Sequence, residues 1–311
     1  MHTRLAGAAV AVAVATAVAA ALPAAPPSEG TVRVPGGAEL RYVRQGRGPT
    51  LLVIGSSIYY PRVFSKNLSK SFDIVYADGR HFARGYQPTS EEASALTLDR
   101  FAEDVEAVRE ALKVPRIAVL GHSVHAQIAM RYARRHPDRT SHVILDCGVP
   151  YAPSEFARVV SEFWERDASP ERKKLLERNR EEARSALAAA PPARAFAIRQ
   201  RADAPRFWAN AAFDPGPLQE GLENNASMDR LFSVVPTRSD VRSTLESLKM
   251  PIFVAVGSFD YGVPHALWPE LVAGLPNVTV HLFARSGHHP HVEQPEEFDQ
   301  ALNAWFKSSG R

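Results

Sequence analysis

A chain of 311 residues with ordinary apolar content can bury a sizeable core, as one large α/β domain with an insertion or as two modest domains. The formal net charge is only +3, and Lys and Arg are matched locally by Asp and Glu, which argues against a nucleic-acid partner. The single cysteine, Cys147, excludes an intramolecular disulfide. Its apolar setting, Val143-Ile144-Leu145-Asp146-Cys147, marks a buried small residue rather than a reactive thiol.

The chain opens on a short basic stretch, Met1-His2-Thr3-Arg4, followed by an apolar run over residues 5–22 and a small-residue exit, Pro23-Ala24-Ala25-Pro26-Pro27-Ser28. That order is the layout of a secretory signal peptide, here residues 1–25, with Ala19-Ala20-Ala21 as one cleavage site. An uncleaved anchor is the rival, because about 20 apolar residues span a bilayer. Alanine is only weakly apolar, which favours cleavage and a secreted or extracytoplasmic protein over a membrane-anchored one. With the leader removed, no stable membrane partner is expected.

Residues 31–34 and 39–43 flank Pro35-Gly36-Gly37 and predict a hairpin. Residues 50–54 and 72–77 are continuous apolar runs, each ending in a turn signal. Phe101, Val105, Val108 and Leu112 have helical spacing. Residues 117–120 are a short buried-strand run, and Ala126, Ile128, Ala129, Met130 and Ala133 then read as a helix. Residues 142–145 are a fourth apolar run. Strands alternating with helices predict a mostly parallel central sheet flanked by helices.

From residue 151 to about 248 the strand-like runs stop. Residues 164–190 are charged and helical, the pattern of a solvated face. Prolines break the segment, and its aromatic residues include Trp164 and Trp208, both candidates for a pocket wall. The alternation resumes over residues 252–256, a helix over 265–273, a strand over 278–283 and a closing helix over 298–306. The expected division is a core over 31–150, a helical insertion over 151–248 and the rest of the core over 249–309.

Between the strand at 117–120 and the following helix lies Gly121-His122-Ser123-Val124-His125. A serine on a sharp strand-to-helix corner is pushed out of the surface, at the positive end of the helix. The plain alternative is a Gly-His-Ser turn that caps a helix. Ser123, Asp260 and His288 each follow the C-terminal end of a predicted strand, and in an open parallel sheet those ends share one rim. A serine hydroxyl becomes a nucleophile when an imidazole takes its proton, and a carboxylate holds that imidazole in the right tautomer. The oxyanion then needs preorganised donors. Val124 N–H follows the serine, and Ser56, in the loop after the strand at 50–54, is expected to supply the second.

Three motifs resemble the α/β-hydrolase superfamily, over about residues 32–309. They are the pentapeptide around Ser123, the strand-and-turn Pro251-Ile252-Phe253-Val254-Ala255-Val256-Gly257-Ser258-Phe259-Asp260, and Ser286-Gly287-His288-His289-Pro290-His291-Val292-Glu293-Gln294-Pro295. The resemblance implies the α/β-hydrolase fold with a helical cap over 151–248. It also implies His288 as base and a layout similar to proline iminopeptidase-like members. Two positions depart from the family: Ile54-Gly55 stands where His-Gly is usual, and His125 replaces the last glycine of Gly-x-Ser-x-Gly.

Asp146 also follows a strand end and is the alternative acid. His125 is a packing residue or a pocket residue. No cofactor is expected. A metal is not expected either, since no acidic residue or cysteine falls at ligand spacing among His122, His125, His288, His289 and His291. Asp78, His81 and Arg84 read as a turn with surface charges, and Glu293 as a cap for the next segment. The expected function is hydrolysis of an ester or amide bond in a small-molecule or short-peptide substrate through an acyl-enzyme. A proline iminopeptidase, which needs acidic cap residues such as Glu162, Glu165, Glu220 or Glu223 to hold an amine, is the first alternative. A non-catalytic binding protein of the same fold is the second.

Overall fold

The computed structural model describes residues 25–309. The expected leader lies outside the described residues except for Ala25. Among the described residues eight strands form one sheet: β1 (Ala25–Arg33), β2 (Glu39–Gly46), β3 (Thr50–Gly55), β4 (Asp73–Asp78), β5 (Ile117–His122), β6 (Thr140–Asp146), β7 (Ile252–Gly257) and β8 (Val278–Phe283). Their order is β1-β2-β4-β3-β5-β6-β7-β8. The first hairpin and its junction with β4 are antiparallel, and every pairing from β4 to β8 is parallel.

The period-2 alternation of strand side chains builds two cores. Leu52, Ile54, Val119 and Val254 face one side, against Phe101, Val105 and Val108 of the helix Leu98–Ala111 and Val241 and Leu245 of Arg238–Ser247. Leu51, Val53, Leu120 and Phe253 face the other, against Phe298, Leu302 and Trp305 of the helix Pro295–Ser309. Covering on both faces is what continuous apolar strands require.

The sheet order places the site. From β3 the chain moves one way to β4, then returns to put β5 on the other side of β3. The loops after β3 and β5 therefore diverge from neighbouring strand ends, and an open α/β sheet takes ligands at such a point. Ser56 and Ser123 lie on those two loops.

Between β6 and β7 the described chain is helical, with Pro153–Asp167, Pro170–Ala189, Pro192–Ala202, Ser227–Ser233 and Arg238–Ser247 as its longer pieces. Pro153, Pro170 and Pro192 occupy first helical positions, where a missing N–H costs nothing. In Pro170–Ala189 only Leu176 is buried, and Arg178–Glu182 and Arg184–Glu181 pairs lie on the solvated side. Among the described residues no helix is long and apolar enough to cross a membrane.

The turn after β4 differs from its expected exposure. Arg84 is exposed, but Asp78, Arg80 and His81 are buried. Arg80 forms a two-pronged bond to Asp104, with N–O distances of 2.6 and 2.5 Å, and the Asp78 carboxylate accepts from Ser57 N–H at 2.6 Å. A charge this buried is held by a fully matched partner, which composition alone does not reveal.

Candidate active site

The elbow is built by the backbone. Ser123 has φ +56°, the left-handed region that costs an L-residue roughly 1–2 kcal/mol. Its N–H donates to Asp146 O at 3.0 Å, and its carbonyl accepts from Ala126 and Val149 N–H at 3.1 and 3.0 Å. A side chain at Gly121 would put its Cβ 2.3 Å from the His125 carbonyl oxygen, so the first glycine of the motif is obligatory. The last one is not. His125 points away from the turn, into space that Gly55 leaves open: a Cβ on Gly55 would lie 3.0 Å from the His125 ring.

That ring belongs to a buried polar cluster. His125 stacks on His81 with centroids 5.0 Å apart, and their Nε2 atoms are 2.8 Å apart, a bond in which one imidazole donates and the other accepts. His125 Nδ1 lies 3.1 Å from His122 O and 3.4 Å from the Tyr60 hydroxyl. Burial pushes His125 down to about 4 and His81 well below the usual imidazole range, so both rings are neutral near neutral pH. His125 both packs and lines the cleft, so the two expectations for it are not exclusive.

His288 Nδ1–H donates to Asp260 Oδ2 at 2.5 Å, with both side chains buried. The other carboxylate oxygen accepts from Gly262 and Val263 N–H at 3.0 and 2.8 Å, which fixes the carboxylate's orientation. Bonding through Nδ1 leaves His288 Nε2 for the cleft it shares with Ser123. His122 braces the His288 backbone. Its Nε2–H donates to His288 O at 2.8 Å, and its Nδ1 accepts from the Tyr60 hydroxyl at 3.3 Å. Burial and the neighbouring His288, His291 and His289 hold it well below its ordinary range.

Asp146 is placed elsewhere. Its Oδ2 lies 2.6 Å from His291 Nδ1, and both side chains are fully buried. The alternative acid thus faces a second histidine, while His288 is paired with Asp260. Neither Trp164 nor Trp208 lines this cleft, although Trp164 borders a separate groove. Trp208 stacks on His289 at 4.0 Å and on Phe213 at 4.1 Å, and Trp164 packs on Tyr261. Aromatic side chains of Tyr59, Phe82, Phe196 and Phe232 form the cleft wall instead. Ser56 and Val124 both line the cleft. Among the described residues neither backbone N–H donates to a protein acceptor, so two donors stand free beside Ser123.

Among the described residues, two groups bring three ligand-type atoms within 4.8 Å of one another: His122, Asp146 and His291, and Cys147, Asp260 and His288. The facing atoms of Asp260 and His288 already bond each other. In the first group both His122 nitrogens are engaged by His288 O and Tyr60. Cys147 is buried, and burial pushes its thiol up, in keeping with an inert small residue.

Glu293 is not a helix cap. Its carboxylate accepts from Ala209 N–H and Gly287 N–H, both at 2.7 Å, tying the helical segment to the His288 loop. Burial raises it to about 7, against the three backbone bonds that pull it down. A folded-state value above the unfolded one makes its contribution favourable below about pH 4.5 and progressively lost as pH rises through 7. The stability advantage of the natural protein over Glu293→Gln should therefore shrink by roughly 2–3 kcal/mol between pH 5 and 8. Asp78 and Asp299, also raised to about 6, contribute equally to both proteins and cancel. Urea unfolding at four pH values reads the difference, and a constant gap would contradict the assignment.

A serine on a left-handed elbow, a histidine–carboxylate pair and two N–H donors without a protein acceptor thus meet at one cleft. The chain belongs to the α/β-hydrolase family: the family model for the alpha/beta hydrolase fold matches residues 46–295. It is 33% identical over 271 residues to the AB hydrolase superfamily protein YclE of Bacillus subtilis, covering 87% of this chain and 96% of that protein. It is 25% identical to a proline iminopeptidase of Heyndrickxia coagulans, covering 90% and 99%. Among solved structures, VinJ superposes with a TM-score of 0.64 at 19% identity, covering 91% of this chain and 100% of that one. The Exiguobacterium antarcticum esterase EaEST gives 0.61 at 18%, covering 89% and 98%. At those identities the two structures carry the fold alone. The protein is a hydrolase, and its sheet is that of its family.

Proposed function

We propose that the protein is a carboxylic ester hydrolase acting on an uncharged, partly apolar substrate with a short acyl group. Ser123 Oγ attacks the ester carbonyl as its proton passes to His288 Nε2, and Asp260 stabilises the resulting imidazolium. The oxyanion accepts from Val124 and Ser56 N–H. The alkoxide leaves with the proton from His288, and water, activated by the same imidazole, releases the acid from the acyl-enzyme.

The observation that carries this reading is the composition of the cleft wall. None of the described side chains lining it is Asp, Glu, Lys or Arg. A peptidase that grips a substrate amine needs a carboxylate there. Glu162 and Glu165 pair instead with Arg158 and Lys173 on the surface, and Glu220 and Glu223 are exposed and do not line the cleft. The cleft encloses about 80 Å³, well below the roughly 300–1,000 Å³ of pockets for larger ligands. Residues 151–248 act as a cap over it, and residues 1–25 direct the chain out of the cytoplasm.

A panel of p-nitrophenyl esters against proline p-nitroanilide tests the reading. Acetate and butyrate esters are expected to be cleaved faster than decanoate, with no anilide turnover. Anilide turnover matching that of the esters would overturn it. N-terminal sequencing of the exported protein checks the leader.

A further inference from the structure

A groove outside the Ser123 cleft encloses about 500 Å³ where the helix Pro153–Asp167 meets the turn after β7. Phe156, Val160, Trp164, Leu176 and Phe207 make it apolar, and the only two charged side chains lining it are Arg180 and Arg206. Arg180 is neutralised by Asp203 at 2.6 Å. Arg206 is not: among the described residues no carboxylate lies within ion-pair distance of it. Its guanidinium donates to the Tyr261 carbonyl at 3.1 Å and lies over the Trp164 ring at 5.7 Å, and its buried Nε–H has no acceptor.

An apolar trough with one uncompensated guanidinium matches a molecule with an apolar tail and a single carboxylate. The planar fork of arginine suits a carboxylate, and a phosphate dianion would call for more positive charge than one such group supplies. We infer that this groove is a second binding site, distinct from the Ser123 cleft, for a carboxylate-bearing amphiphile such as a medium-chain fatty acid.

The groove also touches the reactive pair. Phe207 forms part of its wall, its ring lies 5.2 Å from that of His288, and its carbonyl accepts from His288 N–H at 2.6 Å. Gly262 lines it too and donates its N–H to Asp260. A bound tail thus contacts the residues that hold the base and the acid in place.

Calorimetric titration with octanoate and with octanol tests the site, and neither ligand requires ester cleavage. Octanoate is expected to bind the natural protein saturably and octanol about tenfold or more weakly, the loss of one charge-assisted contact. Arg206→Gln should reduce octanoate binding by a similar factor. Val160→Trp, which fills the trough and leaves the guanidinium in place, should abolish it. Near-ultraviolet dichroism checks that both variants remain folded. Equal binding of octanol and octanoate, undiminished octanoate binding in either folded variant, or no binding to the natural protein would each overturn the inference.

Discussion

Ser123→Ala should lower kcat on a p-nitrophenyl ester by about 10⁶-fold, with KM nearly unchanged. Removing the hydroxyl removes the covalent route, while the cleft wall and the Ser56 and Val124 donors still hold the substrate. Residual catalysis of about 10³–10⁴ over water is then expected from those donors and from binding. Nucleophile and base act as one unit, so Ser123→Ala/His288→Ala should be no slower than either single variant. Full additivity of the two losses would mean that they serve separate steps. Stability offers an independent check. Alanine keeps the Cβ and therefore the strain at φ +56°, whereas Ser123→Gly should stabilise the fold by about 1 kcal/mol relative to Ser123→Ala. Equal melting temperatures for the two would show that the elbow stores no strain.

The parts of this site that were legible in the sequence are the parts set by local backbone geometry. An apolar run, a glycine and a serine before a helical pattern can fold only into a narrow set of corners, and Gly-x-x-Asp and Ser-Gly-His at later strand ends share a rim by topology. What was not legible depends on side chains that meet across the sheet. His81 and His125 are 44 positions apart, and their contact exists because Gly55 and Gly79 leave room for both rings. Asp146 and His291 meet across 145 positions beneath the rim. An aromatic such as Trp208 in a helical insertion has no period to orient it, and in the fold it stacks against His289 instead of lining the cleft. The buried Arg80–Asp104 pair had a faint signal, an arginine two residues after a buried strand, but the partner lies on the helix Leu98–Ala111.

Asp260→Asn should lower kcat by about 10⁴-fold while Asp146→Asn lowers it by less than about tenfold. The reason lies in which oxygen does what. Asp260 Oδ1 is held by Gly262 and Val263 N–H, so an asparagine keeps its carbonyl there and turns its NH₂ toward His288. That group donates to Nδ1, drives the imidazole proton onto Nε2 and leaves nothing to accept the Ser123 proton. Deprotonation elsewhere cannot restore the tautomer, so the loss should persist across pH 6–9. Asp146→Asn meets a different environment. Its carboxylate faces His291, and both are fully buried, so the substitution unbalances a buried pair at a cost of about 1–3 kcal/mol in stability. Its link to the reaction is indirect, through the Asp146 carbonyl that accepts from Ser123 N–H, and that bond survives the change. The two variants should therefore separate cleanly, one losing rate and the other losing stability. The reverse pattern, a large rate loss in Asp146→Asn and a small one in Asp260→Asn, would place the acid at Asp146 and turn the Asp260–His288 pair into a structural one.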